Sequence, residues 1–153
     1  MPFQNEPIPQ DTISSMLSTN WNTNSNNTPT PTFFIVNDGT TAIRFDLTSG
    51  DYIGIKADTP SLEENPIGTW IYAHQKTRVL LELYTSISRQ RLWNTMKEVR
   101  RICHSQMHNL TNYQRVQFAS FDEIVDEQQR IWKGRIIIEL INSAAIMNIT
   151  ADT

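Results

Sequence analysis

Hydrophobic positions in the middle of the chain predict one long amphipathic helix over 88–107. Apolar residues recur there at steps of three or four, the spacing that aligns side chains along one side of an α-helix. The apolar stripe consists of Leu92, Met96, Val99, Cys103 and Met107, widened by Trp93 and Ile102. Polar residues fall largely outside it, namely Arg89, Gln90, Asn94, Lys97, Glu98, Arg100 and Arg101. Ser86 or Ser88 is the candidate N-cap.

Alternating patterns predict strands on both sides of this helix. The runs 69–85 and 131–141 carry apolar residues on both of their sides, and 113–121 alternates less regularly. Three shorter runs, 33–36, 42–47 and 52–57, also predict strands, the first two as a hairpin joined by the turn NDGT. The polar stretches 58–68 and 122–130 are predicted to be a loop and a connection.

The order of strand, long helix, strand, strand predicts an α+β fold. One long helix would cover one face of a small, mostly antiparallel sheet, in a split β-α-β-β arrangement. Ahead of it, Ile13, Met16 and Leu17 predict a short helix over 11–18, capped by Asp11 or Thr12 and followed by a polar arm. The other face of the sheet needs a second cover, either from this helix and arm or from a neighbouring subunit.

The length of 153 residues suits a single domain. We expect a helix and arm over 1–32, an α+β core over 33–142 and a tail over 143–153. The chain has 13 Lys and Arg against 16 Asp and Glu, a net charge of −3, so it has no global attraction to nucleic acid. Cys103 is the sole cysteine, which excludes an intrachain disulfide.

The N-terminal sequence MPFQNEPIPQ lacks both a basic start and an apolar run, so it does not resemble a signal peptide. No window approaches the roughly 20 apolar residues of a spanning helix. We therefore expect synthesis in the cytoplasm and no membrane partner.

The end of the long helix raises the question of a metal site at Cys103, His104 and His108. Two histidines at i, i+4 on a helix hold a metal only when a third ligand approaches. Histidines are also common near helix C-termini, where they complement the helix dipole. Neither a Gly-x-Ser-x-Gly turn nor a phosphate-binding loop is present, and the acidic runs are typical of solvated surface. The sequence predicts neither enzyme activity nor a cofactor.

Basic residues on the same helix suggest an alternative function, a small nucleic-acid-binding module. Phosphates would be contacted by Arg89, Arg91, Lys97, Arg100 and Arg101. The strands lack the paired stacking aromatics of ferredoxin-like RNA binders, and a solvated helix face explains the same charges.

Four stretches of the sequence together carry a family resemblance. They are TISSMLSTNW at 12–21, NTP at 27–29, VLLELYTSISRQRLWNTMKEVRRI at 79–102 and RIWKGRIIIELI at 130–141. Over about residues 8–142 the chain resembles the tail terminator, or tail completion, proteins and related neck proteins of tailed viruses, particularly archaeal ones.

The resemblance implies a ring-forming virion protein without catalysis. Such a ring, commonly of six subunits, caps the head-proximal end of the tail, ends tail-tube growth and joins the tail to the head connector, and DNA passes through its lumen without sequence-specific binding. The implied partners are further copies of the chain, the tail tube protein and the connector protein. The polar arm 18–32 and the loop 58–68 would reach towards them. Candidate contact residues are Trp21, Asn22, Tyr84, Arg89, Arg100, Arg101 and Trp132.

Overall fold

The computed structural model of the chain describes residues 8–23, 27–36, 50–57, 61–67, 70–110, 113–126 and 131–148, with the backbone alone in 61–67, 70–75, 125–126 and 143–148. The elements of these ranges are α1 (Pro9–Asn20), β1 (Thr32–Ile35), β2 (Tyr52–Ala57), β3 (Ser61–Ile67), β4 (Trp70–Thr85), α2 (Arg89–Ser105), β5 (Arg115–Asp126) and β6 (Ile131–Asn148). The predicted α+β class is confirmed, and β4, α2, β5 and β6 follow the predicted chain order.

The strands form one sheet in the order β1-β2-β4-β6-β5, with β3 paired to the first half of β4. Every pairing is antiparallel except β1 with β2, which is parallel. The prediction of a mostly antiparallel sheet is therefore confirmed. The predicted partner of β1 was 42–47, which lies outside the described residues.

The structure extends strands into segments that the sequence pattern did not assign to strands. The predicted loop 58–68 contains β3, which pairs with β4 from Ser61 opposite Lys76 to Ile67 opposite Trp70. The predicted connection 122–130 begins with the last part of β5, and the predicted tail begins with the last part of β6. In each case a neighbouring strand supplies hydrogen-bond partners for the backbone, and a local hydrophobic pattern does not reveal such a neighbour.

The predicted long helix is confirmed as α2, and Ser88 is its cap. The Ser88 hydroxyl accepts the backbone N–H of Arg91 at 3.1 Å. The buried side of α2 is broader than the apolar stripe, because it also includes Thr95 and Glu98. The caps predicted for α1 were wrong: Ile8 occupies the N-cap position without a side-chain hydrogen bond, and Pro9 begins the helix. Proline suits this first position, where an N–H has no partner within the helix.

Both helices pack on the same face of the sheet. α1 contacts β1, β2, β4 and α2, while α2 contacts β4, β5 and β6. The shared core includes Ile13 and Leu17 of α1, Val99 and Ile102 of α2 and the fully buried Leu81 of β4. Neither helix covers the opposite face. Of the two covers that the sequence allowed for that face, α1 is therefore not the one used.

Candidate assembly surface

The sheet face opposite the helices carries a mixture of charged and apolar side chains. Register and burial place on it Lys76, Arg78, Leu80, Glu82 and Tyr84 of β4, Ile131, Lys133, Arg135, Ile137, Glu139 and Ile141 of β6, and Phe34, Tyr52, Lys56, Arg115, Gln117, Ser120, Asp122 and Ile124 of the flanking strands. We call this set the open face. No other element of the described ranges covers it.

Ion pairs link the two central strands of the open face. The Glu139 carboxylate lies 3.5 Å from the Lys76 ammonium and 3.9 Å from the Arg78 guanidinium. Two rows further along, Arg135 lies 3.8 Å from Glu82. These separations are long for hydrogen-bonded ion pairs, and the partners are partly exposed, so each contributes little to stability.

Tyr84 is anchored on the same face. Its hydroxyl donates to the Glu82 carboxylate at 2.6 Å, and the Lys133 ammonium lies 6.0 Å from the centre of its ring. Desolvation by burial, together with the hydrogen bond and charge of Glu82, raises the pKa of Tyr84 above its ordinary value. Tyr84 therefore remains a protonated hydrogen-bond donor.

The apolar residues at the centre of the open face are largely buried. Leu80 and Ile137 lie opposite each other across β4 and β6 and are half-buried, and Ile141 is 7% exposed. From the sequence, the second apolar side of β4 and β6 needed a cover. In the folded chain Leu80, Ile137 and Ile141 on that side are already largely buried. Towards its edges the open face also carries Phe34, Tyr52, Ile131 and Ile124, the last of them 41% exposed, so the open face is a mixed charged and apolar surface.

Three strands continue past the five-stranded part of the sheet. β2 pairs with β4 from Val79 onwards, and β5 pairs with β6 as far as Ile141. Beyond these limits β3, residues 70–76 of β4 and residues 142–148 of β6 form what we call the three-stranded extension. It is roughly 20 Å long at the usual rise per strand residue. Within the described ranges no strand pairs with its two outer edges.

The polar arm predicted to reach outward is instead packed into the subunit at both described ends. Trp21 is buried, its indole N–H donates to the Thr28 carbonyl at 3.0 Å, and its ring meets Phe33 edge-on at 5.7 Å. The Asn22 side chain accepts the Thr28 N–H at 2.9 Å, and the Asn22 backbone N–H reaches Glu98. These contacts give Trp21 and Asn22 intramolecular roles, and they explain why the polar Glu98 is buried.

The basic residues of α2 are largely engaged within the chain. Arg89 pairs with Glu123 at 2.6 Å, Arg91 pairs with Asp51 at 2.7 Å, and Arg101 pairs with Glu98. Lys97 and Arg100 are exposed. The predicted helix face for phosphate contact is therefore interrupted by internal ion pairs.

The candidate contact residues do not form one site. Tyr84 lies on the open face, Trp132 packs against the core near the start of β6, and Arg89, Arg100 and Arg101 lie along α2. Sequence reasoning missed the cations of the open face, although alternation along β4 placed Lys76 and Arg78 on one side. Arg115 of β5 lies near Lys76 and Arg78 because β4 and β5 both pair with β6, and the sequence does not show this pairing between strands far apart along the chain.

The thiol and histidines at the end of α2 do not converge. Cys103 is fully buried, and this burial raises the pKa of its thiol to about 12, so the thiol stays protonated. α2 ends at Ser105, so His108 follows the helix instead of facing His104 across a turn, and its Nδ1 lies 3.3 Å from the Gln114 carbonyl. No three His, Cys, Asp or Glu residues in the described ranges are grouped to hold a metal. Neither described helix has the length and apolar character to span a membrane.

Among solved structures, the fold resembles a chain in the "Virion of native gene transfer agent (GTA) particle". The match has a TM-score of 0.54 and covers 89% of this chain and 95% of that one, at 9% sequence identity. No protein-family model and no curated protein matches the sequence. The likeness extends over nearly the whole of both chains and concerns their fold.

Proposed function

We propose that this chain is a structural subunit of a virion without catalytic activity. The observation that carries the proposal is the fold shared with a chain of a gene transfer agent virion over most of both lengths. At this level of identity the argument is an analogy between folds. It agrees with the independent resemblance of the sequence to the tail terminator proteins.

We further propose that the subunit forms a ring, commonly a hexamer, at the head-proximal end of a tail. There it would end tail-tube growth and join the tail to the head connector. The three-stranded extension supports this role, because no described strand pairs with the outer edges of β3 and of 142–148, and a strand of a neighbouring subunit would hydrogen-bond to the backbone there. A heterologous contact of this kind closes into a ring when its rotation permits.

Tube-length measurements would test this function. Tail tube protein polymerised with the full chain should give short tubes with one end blocked, whereas polymerisation alone should give longer tubes. A variant in which 58–75 is replaced by a short Gly/Ser linker retains the β2–β4 pairing, which begins at Ala57 and Val79. It should stay folded and lose the blocking. Tubes of unchanged length, with no protein at their ends, would refute the role.

A further inference from the structure

The outer side of α2 carries two neighbouring cations. The exposed residues of this helix are Arg89, Gln90, Asn94, Lys97, Arg100, His104 and Ser105. Lys97 and Arg100 are three positions apart, so they lie on the same side of the helix. The other basic residues of α2 that carry a fixed charge, Arg89, Arg91 and Arg101, each pair with a carboxylate of their own. None of the ion pairs within the described ranges involves Lys97 or Arg100.

The cations of the open face differ from this pair. All but one of them interact with another group of the chain, namely Lys56, Lys76, Arg78, Lys133 and Arg135. The exception is Arg115, which is exposed and belongs to no described ion pair, but it has no second cation of this kind beside it. Within the described ranges, Lys97 and Arg100 are therefore the one pair of neighbouring cations that lacks a carboxylate partner.

The three-stranded extension carries the opposite charge. Its sequence contains two glutamates, Glu63 and Glu64 in the middle of β3, which we call the glutamate pair, and one cation, Lys76, which already pairs with another carboxylate. In the strand pairing, Glu63 lies opposite His74 and Glu64 lies opposite Ala73. Neither glutamate therefore has a Lys or Arg directly opposite it. The glutamate pair belongs to an outer strand of the extension.

We propose that, in the ring, the glutamate pair of one subunit faces the Lys97–Arg100 pair on α2 of the next copy. Two neighbouring anions on one element match two neighbouring cations on another, and complementary charge of this kind selects the partner and fixes its register. Because the cation pair belongs to no described ion pair of its own chain, we assign the matching carboxylates to a second copy. Each subunit presents both surfaces, so the contact is heterologous, as a closed ring of more than two copies requires. The inference rests on the proposed ring and names the surface that the extension meets in it.

Charge reversal, followed by native mass measurement on the full chain, tests this contact. The helix variant combines Lys97→Glu with Arg100→Glu, and the extension variant combines Glu63→Lys with Glu64→Lys. Each variant places like charges against each other at every contact of the ring. The protein concentration needed for assembly should therefore rise by about tenfold or more. A chain with all four substitutions has opposite charges at every contact again, so it should assemble as the wild type does.

The matched control combines Arg78→Glu with Arg115→Glu, which makes the same change in net charge on the open face as the helix variant makes on α2. Circular dichroism would verify that each variant is folded, and the control should assemble as the wild type does. Full assembly of the helix and extension variants would overturn the contact and leave the ring intact. Failure of the folded fourfold variant to recover assembly, or an equal loss in the control, would overturn it as well.

A milder variant, Lys97→Gln with Arg100→Gln, keeps the contact testable if a reversed chain does not fold. It should assemble less readily than the wild type, and its assembly should depend less on salt, because two exposed charges that salt screens are removed. Unchanged assembly and unchanged salt dependence in this variant would overturn the contact. A wild type that remains monomeric would refute the proposed ring itself, and the contact with it.

Discussion

The buried Glu98 carboxylate on α2 accepts a hydrogen bond from the backbone N–H of Asn22 at 3.0 Å, across 76 positions of sequence. Glu98 also receives the Arg101 guanidinium, which in turn donates to the Asn20 carbonyl at 2.8 Å. One carboxylate thus connects the end of α1 to the middle of α2. It holds both helices on the same face of the sheet and leaves the other face open.

Glu98→Ala should destabilise the subunit by about 3–5 kcal/mol, because it leaves the Arg101 charge and the Asn22 N–H without their buried partner. Urea denaturation followed by circular dichroism would measure the loss. Asp11→Ala removes an exposed acid from the first turn of α1 and should cost no more than about 1 kcal/mol. Equal losses in the two variants would show that the Glu98 network has no special role in stability.

Trp21→Ala should cost about 3–5 kcal/mol, since it opens a cavity beside Phe33 and removes the donor to Thr28. Trp21→Phe should retain most of the packing and lose mainly the hydrogen bond, about 1 kcal/mol. Ile8→Ala provides a control at a residue that is 58% exposed. In thermal unfolding the loss of stability should be largest for Trp21→Ala, smaller for Trp21→Phe and smallest for Ile8→Ala. Full stability of Trp21→Ala would mean that the segment around Trp21 does not pack in the core.

This segment illustrates what the sequence could and could not predict. The spacing of apolar residues identified α1, α2 and the core strands. An element buried on one side repeats its apolar residues about every 3.6 positions in a helix and every 2 positions in a strand. Trp21, by contrast, stands among asparagines and threonines that are typical of a loop. Its burial depends on the fold of the following segment, which brings Phe33 and the Thr28 carbonyl to its ring, so the local hydrophobic pattern does not signal it.

Gly134→Ala should destabilise the protein by about 1–3 kcal/mol through overpacking. A Cβ at this position would lie 2.6 Å from Phe121 Cε2 and 3.4 Å from Leu92 Cδ1. Phe121 is itself held edge-on against Trp93 at 5.2 Å, so it has little freedom to move aside. Gly50→Ala is the matched control, because a Cβ there meets nothing within 4 Å. A melting temperature equal to that of the control would show that the Phe121 ring moves aside without cost.

Arg89→Gln should raise the pKa of Glu123. The hydrogen bond from Arg89 lowers this pKa below its ordinary value of 4.5 in the folded protein. The resulting stabilisation is therefore fully present above pH 4.5 and is lost as pH falls through the lower native pKa. Carboxyl NMR titration of wild type, Arg89→Gln and a Lys97→Gln control would measure it. An unchanged Glu123 pKa in Arg89→Gln would contradict the ion pair.

The open face shows a second limit of sequence reasoning. Alternation along β4 and β6 predicted that each strand has two distinct faces. Which cations become neighbours depends on register: Arg115 joins Lys76 only because β5 and β4 both pair with β6 around Ile141. Strand pairing also explains why the polar segment 61–67 is a strand. It has no alternating hydrophobic pattern of its own, but residues 70–76 of β4 provide hydrogen-bond partners for its backbone.

The native mass of the purified full chain tests the central claim most directly. Ring assembly predicts a closed oligomer, commonly of six copies, that persists on dilution and is lost when 58–75 is replaced by a short linker. A folded monomer at all concentrations, both alone and in the presence of tail tube protein, would contradict the account.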